Sequence, residues 1–99
     1  ALDFRKEFLK VNGTPTTDAF SAYSFDAWVV FTDAAARALA KGEPGTPAFR
    51  VALRDAIMST KEVVGTHGCY NFKPGYSYGV DKRARVIVKL DHGQWKLDQ

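Results

Sequence analysis

Apolar residues recur along this chain first at helical and then at extended spacing. Phe4 and Phe8 stand four apart with Arg5, Lys6 and Lys10 off their face, which predicts a helix over residues 3–11 that stops at Asn12-Gly13, ahead of Pro15. Thr16, Thr17 and Asp18 are N-cap candidates for a second helix from Ala19 to Lys41, closed by Gly42. Wound at about 100° per residue, Asp26, Asp33, Arg37 and Lys41 fall on one narrow stripe, with Asp33 and Arg37 spaced for an i,i+4 ion pair. Phe20, Tyr23, Ala27, Phe31, Ala34 and Ala38 cover one flank, and Phe25, Trp28, Val29, Ala36 and Leu39 the other. A helix apolar around most of its circumference is expected to lie inside a larger body. A membrane span over Ala19 to Ala40 is disfavoured, because Asp26, Asp33 and Arg37 each cost about 2.5–3.5 kcal/mol near a bilayer centre and no Leu or Ile run offsets them.

Gly42-Glu43-Pro44-Gly45 reads as a loop, and Thr46-Pro47 as an N-cap followed by proline at the first position of a third helix that runs to about Ser59. Its core stripe is Phe49, Ala52, Leu53, Ala56 and Ile57, with Arg50, Arg54 and Asp55 outward. After Lys61 the period changes. Val63-Val64 lead into Gly65-Thr66-His67-Gly68, and then Tyr70 and Phe72 alternate with Cys69 and Asn71. Lys73-Pro74-Gly75 is a turn. Arg85 to Leu90 reads as a strand with Val86, Val88 and Leu90 on one face and Ile87 on the other; Asp91-His92-Gly93-Gln94 then reverses the chain into a short return strand with Trp95 and Leu97.

The 99 residues are 45% hydrophobic and 25% charged, which suits one folded domain with a single core and excludes a mainly disordered chain. A body of this size buries only about 60–65% of its unfolded surface, so the apolar surplus on the second helix needs a partner. The formal charge of +3 is thinly spread. Lys82, Arg83, Arg85 and Lys89 are the nearest approach to a nucleic-acid footprint, and a short solvated turn accounts for them equally. Cys69 is the single cysteine, so an internal disulfide is excluded and pairing says nothing of compartment. Ala1 to Lys6 lack a basic leader, an apolar run and a cleavage site, as in a cytoplasmic chain or one whose leader has been removed, and a helix this close to residue 1 reads as cut from something longer.

His67 and Cys69, two apart, invite a nucleophile-and-base reading, but no third group is in evidence to orient the base, and a turn histidine beside a small buried thiol is the simpler account. His67, Cys69 and His92 match no recurrent metal-ligand spacing, so no metal is expected. Gly65, Gly68, Gly75 and Gly79 precede no strand-to-helix transition and serve turns rather than a phosphate loop. Tyr23, Tyr70, Tyr76 and Tyr78 are candidates for a stacking platform. Phe20 and Tyr23, in the first turn of the long helix, are the candidate ligand-binding residues, because a helix N-terminus favours a bound carboxylate and aromatic rings supply apolar surface; core packing accounts for both on pattern alone.

The run Phe4 to Val11, Asn12-Gly13-Thr14-Pro15 and Ala19-Phe20-Ser21-Ala22-Tyr23-Ser24-Phe25-Asp26-Ala27 resembles the periplasmic amino-acid-binding receptors of branched-chain amino-acid ABC transporters. Arg50 to Ile57, Val64-Gly65-Thr66-His67-Gly68-Cys69-Tyr70-Asn71-Phe72 and the strand ending in Asp91-His92-Gly93-Gln94-Trp95 continue the resemblance in the same order, over nearly the whole chain. It implies a type I periplasmic binding fold, an α/β parent of two lobes hinged by three crossovers and closing on a solute. This chain would be its C-terminal piece, an incomplete α+β unit of three helices followed by strands and a C-terminal β-hairpin.

On that resemblance the helical part of the first lobe covers residues 1–62, an extended segment and crossover 63–84, and the C-terminal strands 85–99. An aromatic residue at the start of the long helix lines the cleft in this family, and Phe20 occupies that position here, with Tyr23 a looser match. Asp26 matches the acidic residue of a common Tyr-Asp-Ala pattern, but Phe25 precedes it and brings no hydroxyl. The implied function is delivery of an amino acid or small aromatic carboxylate to an ABC permease in the periplasm, without catalysis or cofactor. The fragment itself is expected to form homo-oligomers, with strand exchange between copies. A free-standing basic α+β module that binds nucleic acid is the alternative.

Overall fold

A computed structural model describes residues 2–16 and 20–98. Helix α1 spans Leu2–Asn12, α2 Phe20–Ala38 and α3 Pro47–Met58. Short antiparallel pairs follow: β1 (Val63–Val64) with β2 (Cys69–Tyr70), and β3 (Val88–Asp91) with β4 (Gln94–Leu97). This is the expected order of three helices, strands and a C-terminal hairpin. Thr17, Asp18 and Ala19, expected to cap and open the second helix, lie outside the described residues; Thr16 shares a 2.8 Å hydroxyl contact with Ser21.

Local signals set the helix ends. The Asn12 side chain donates to the Phe8 carbonyl, and Gly13, at φ +75°, donates its N–H to the Leu9 carbonyl, a left-handed stop that glycine adopts without strain. Thr46 caps α3 by accepting the Phe49 N–H, with Pro47 in the first position as predicted. The second helix tightens into a 3-10 turn at Leu39–Lys41, so its regular part ends three residues earlier than its pattern predicts.

The core lies between α2 and α3 and is built of alanine. Ala34 and Ala38 meet Ala52 and Ala56, with Phe49, Leu53 and Ile57 of the predicted α3 stripe packed against them. Small side chains let two helix backbones approach closely. Arg37 closes one end: it pairs with Asp33 at 2.9 Å, as the i,i+4 spacing predicts, and donates to the Ser59 and Thr60 hydroxyls beyond the C-terminus of α3.

Two expectations are corrected. The large rings of neither flank of α2 are packed; its buried residues are Ala22, Asp26, Val30, Ala34 and Ala38, a ladder of four-residue steps that takes only the alanines Ala34 and Ala38 from the first flank. Asp26 therefore leaves the polar stripe and is only 2% exposed. The strand expected from Arg85 begins instead at Val88, opposite Leu97, where the pairing among the described residues ends; a bond from the Asp98 N–H reaches the Ile87 carbonyl.

The result is a thin body. Its extents are 55 × 33 × 15 Å and its radius of gyration is 16.9 Å, where a compact domain of this length has about 13 Å. Phe20, Tyr23 and Trp28 on α2 and Leu39 in the turn after it are all more than half exposed, as are Leu90 and Trp95 on the hairpin. Among the described residues no helix is long and apolar enough to cross a membrane.

Candidate functional site

The best-organised group of side chains gathers where the first half of α2 meets the β1–β2 hairpin. Asp26 reaches the four residues between the strands. Its Oδ1 accepts the Thr66 N–H at 2.6 Å and the Thr66 hydroxyl at 2.9 Å, while Oδ2 accepts the His67 N–H at 3.0 Å and the Tyr70 hydroxyl at 2.6 Å. Four donors satisfy one carboxylate, the condition on which a buried charge is tolerated. Gly65 makes the approach possible, since a Cβ there would stand 2.7 Å from the Tyr70 ring and 2.8 Å from the Asp26 carboxyl carbon.

These contacts set the charge states. Burial alone would raise the Asp26 carboxyl, but the bonds from Tyr70, Thr66 and His67 outweigh it and hold the group below the ordinary aspartate value of 3.8. The Tyr70 phenol is pushed up, first by burial and then by the bond to Asp26 and its charge. Because the folded state favours the ionised Asp26, its contribution to stability is complete above the unfolded-state value near pH 4 and is lost as pH falls through the lower folded value. Urea midpoints measured from pH 7 down to pH 2 are expected to drop below about pH 4, and Asp26→Asn to flatten that drop.

Above this anchor the His67 ring stacks on Tyr23, centroids 3.6 Å apart and planes 12° from parallel. Both rings line a cleft of about 290 Å³ together with Tyr70, Tyr78, Val80, Asp81, Ala84 and Arg85. The far wall is held by Arg83, which pairs with Asp81 at 2.8 Å and Glu62 at 2.9 Å, so the 3-10 turn at Lys82–Ala84 is tied back to the start of β1. The cleft is about large enough for a small organic molecule. It combines aromatic surface, phenolic hydroxyls, the Arg85 guanidinium and the Asp81 carboxylate, the last paired with Arg83.

Of the two residues singled out from sequence, Tyr23 lines this cleft. Phe20 lies beside it, 6.0 Å from the Tyr23 ring and 73% exposed, and is not among the lining residues. The four tyrosines do not form one platform: Tyr23, Tyr70 and Tyr78 share the cleft, while Tyr76 borders a neighbouring one and lies under the Lys73 ammonium. Cys69 is a half-buried free thiol in β2. Among the described residues no group of three or more His, Cys, Asp or Glu could hold a metal ion. Sequence reasoning missed Asp26 as a site residue by placing it on the polar stripe; the one signal that points to it is an acidic side chain in line with Ala22, Val30, Ala34 and Ala38, and its partners Thr66 and Tyr70 lie forty or more positions away and meet it only on folding.

Of the four cations named for nucleic acid, Arg83 bridges two carboxylates and Lys89 lies 4.0 Å from Asp98, while Arg85 lines the Tyr23 cleft. Mobility shifts with mixed-sequence DNA and RNA in low salt are expected to show weak or no retardation. Tight binding that falls steeply as salt rises would revive that alternative.

No protein-family model matches this sequence, and no curated protein does. Solved structures match it over nearly its full length. An extracellular ligand-binding receptor from Rhodopseudomonas palustris is 32% identical over 95% of this chain, with a TM-score of 0.82. Two such receptors from R. palustris HaA2 are each 28% identical, over 99% and 96% of this chain, with TM-scores of 0.86 and 0.80. The chain spans about a quarter of each receptor: 26% of the first, and 28% and 26% of the others. In backbone arrangement and in about three residues of every ten, the chain is thus similar to one segment of these receptors.

Proposed function

We propose that this chain is the C-terminal part of a non-catalytic solute-binding receptor of type I periplasmic architecture, and that its cleft supplies part of one wall of the solute site. The observation that carries this reading is the match of nearly every residue to about a quarter of three receptors, each with a TM-score of 0.80 or more. The flat body and the uncovered aromatic face of α2 support it, since both are what a wall lacking the rest of its building would have.

In this reading residues 1–62 belong to the first lobe, 63–84 carry the last crossover and 85–99 contribute strands to the second. Tyr23 faces the solute, with Phe20 at the rim. The solute is an amino acid or a small aromatic carboxylate, which the tyrosines would hold by ring contact and hydroxyl, with Arg85 as counter-charge. Release to an ABC permease in the periplasm follows from the same resemblance.

One wall gives little affinity, because a receptor gains it by enclosing most of the solute surface. Calorimetry of the 99-residue chain against a panel of amino acids and aromatic carboxylates is expected to show no micromolar binding. Micromolar or tighter binding by the isolated chain would refute its being one part of a divided site. In a receptor that carries this segment, Tyr23→Ala is expected to weaken the solute about tenfold or more, in line with the loss of one well-packed aromatic contact.

A further inference from the structure

We infer that Asp26 is the positioning residue of the cleft: its carboxylate pins the 65–70 hairpin to α2 so that the His67 ring lies flat on Tyr23. Asp26 and Tyr23 are three apart on α2 and are neighbours on its surface. One helix face therefore grips His67 twice, by its backbone N–H at Asp26 Oδ2 and by its ring at Tyr23. The residue before it is held by Thr66 N–H and hydroxyl at Oδ1, and the strand after it by the Tyr70 hydroxyl at Oδ2. The hairpin has little freedom left to turn the imidazole elsewhere.

The chemistry demands a carboxylate. An asparagine offers one acceptor oxygen and one NH₂ group, and in either orientation the NH₂ would face a backbone N–H, that of Thr66 or that of His67. One anchor bond is then replaced by a donor facing a donor. Two acceptor oxygens with no hydrogen are what this turn requires. The consequence for a solute rests on the receptor reading: the aromatic wall is set before binding, so no affinity is lost in ordering it.

The test reads the His67 imidazole resonances by ¹H–¹³C NMR in the 99-residue chain, with no solute. Tyr23→Ala identifies the shift caused by stacking, and His92, whose side chain is 92% exposed, supplies the unstacked reference in the same molecule. Asp26→Asn is expected to move His67 toward the His92 position, and Tyr70→Phe, which keeps the ring and removes one donor, to move it part of the way. Val30→Ala loosens the buried face of the same helix without touching the carboxylate and is expected to leave His67 in place. An unshifted His67 in Asp26→Asn overturns the inference, as does an equal shift in Val30→Ala. Should Asp26→Asn not fold, Tyr70→Phe against Val30→Ala decides alone. In a receptor carrying the segment, Asp26→Asn is then expected to weaken the solute several-fold; a shifted His67 with unchanged solute affinity refutes the cleft as solute site and leaves the positioning role standing.

Discussion

Replacing Asp26 with alanine is expected to free the β1–β2 hairpin from α2 and to destabilise the molecule by several kcal/mol, about 1–3 for each backbone N–H left stranded. The carboxylate is the acceptor for four donors drawn from three residues of the hairpin, and an alanine accepts nothing. The Thr66 and Tyr70 hydroxyls can rotate toward water, so the loss is governed by the two backbone N–H groups, each costing about 1–3 kcal/mol when stranded. A domain has only about 5–15 kcal/mol in all, and one with so thin a core sits at the low end. Urea unfolding followed by Tyr and Trp fluorescence is expected to show a midpoint lowered by a third or more. Thr66→Val, which removes one hydroxyl donor and keeps both N–H bonds, is expected to cost about 1 kcal/mol. If Asp26→Ala shifts the midpoint no further than Thr66→Val, water has replaced the carboxylate and the anchor is not what holds the hairpin.

This anchor also marks the limit of what the sequence discloses. The helices were legible because their signals are local: Thr46-Pro47 caps α3 and Gly13 ends α1 at the expected places. The α3 core stripe was legible for the same reason, since 3.6-residue periodicity is written in adjacent turns. Strand β3 was over-extended because alternation at Arg85, Val86 and Ile87 promises a strand, whereas a strand exists only where another pairs with it. The hairpin's return ends opposite Val88. The packed face of α2 was not singled out, because its large apolar residues draw the eye while the molecule buries its alanines. That choice becomes intelligible once α3 presents Ala52 and Ala56 opposite them. The Tyr23 cleft was legible only in part, since Tyr23 carried a local signal while Arg85 and Tyr78 reach it through tertiary structure.

The 99-residue chain is expected to associate with itself, and α2 is the surface that decides it. Phe20, Tyr23, Phe25, Trp28 and Phe31 are between 41% and 73% exposed, and they lie on both flanks of one helix whose packed face is the narrow ladder from Ala22 to Ala38. Fully burying three or four such side chains is worth about 1.5–3 kcal/mol each. Half-exposed rings gain less, and association in solution costs several kcal/mol or more, so the pairing is expected to be weak and to show at high protein concentration. The hairpin adds a second contact: Leu90, Trp95 and Leu97 are exposed on a two-stranded ribbon whose outer edges pair with no other strand among the described residues. An edge of this kind accepts another strand, so exchange between copies is a natural second mode. Sedimentation equilibrium at high concentration is expected to give a mass above that of the 11.0 kDa monomer, and Trp28→Lys to shift it back toward the monomer by placing a charge in the centre of the apolar face. A monomer at high concentration with Trp28 fluorescence already that of a buried indole would mean that one chain covers its own aromatic face, and the physical case for a missing body would be lost with it.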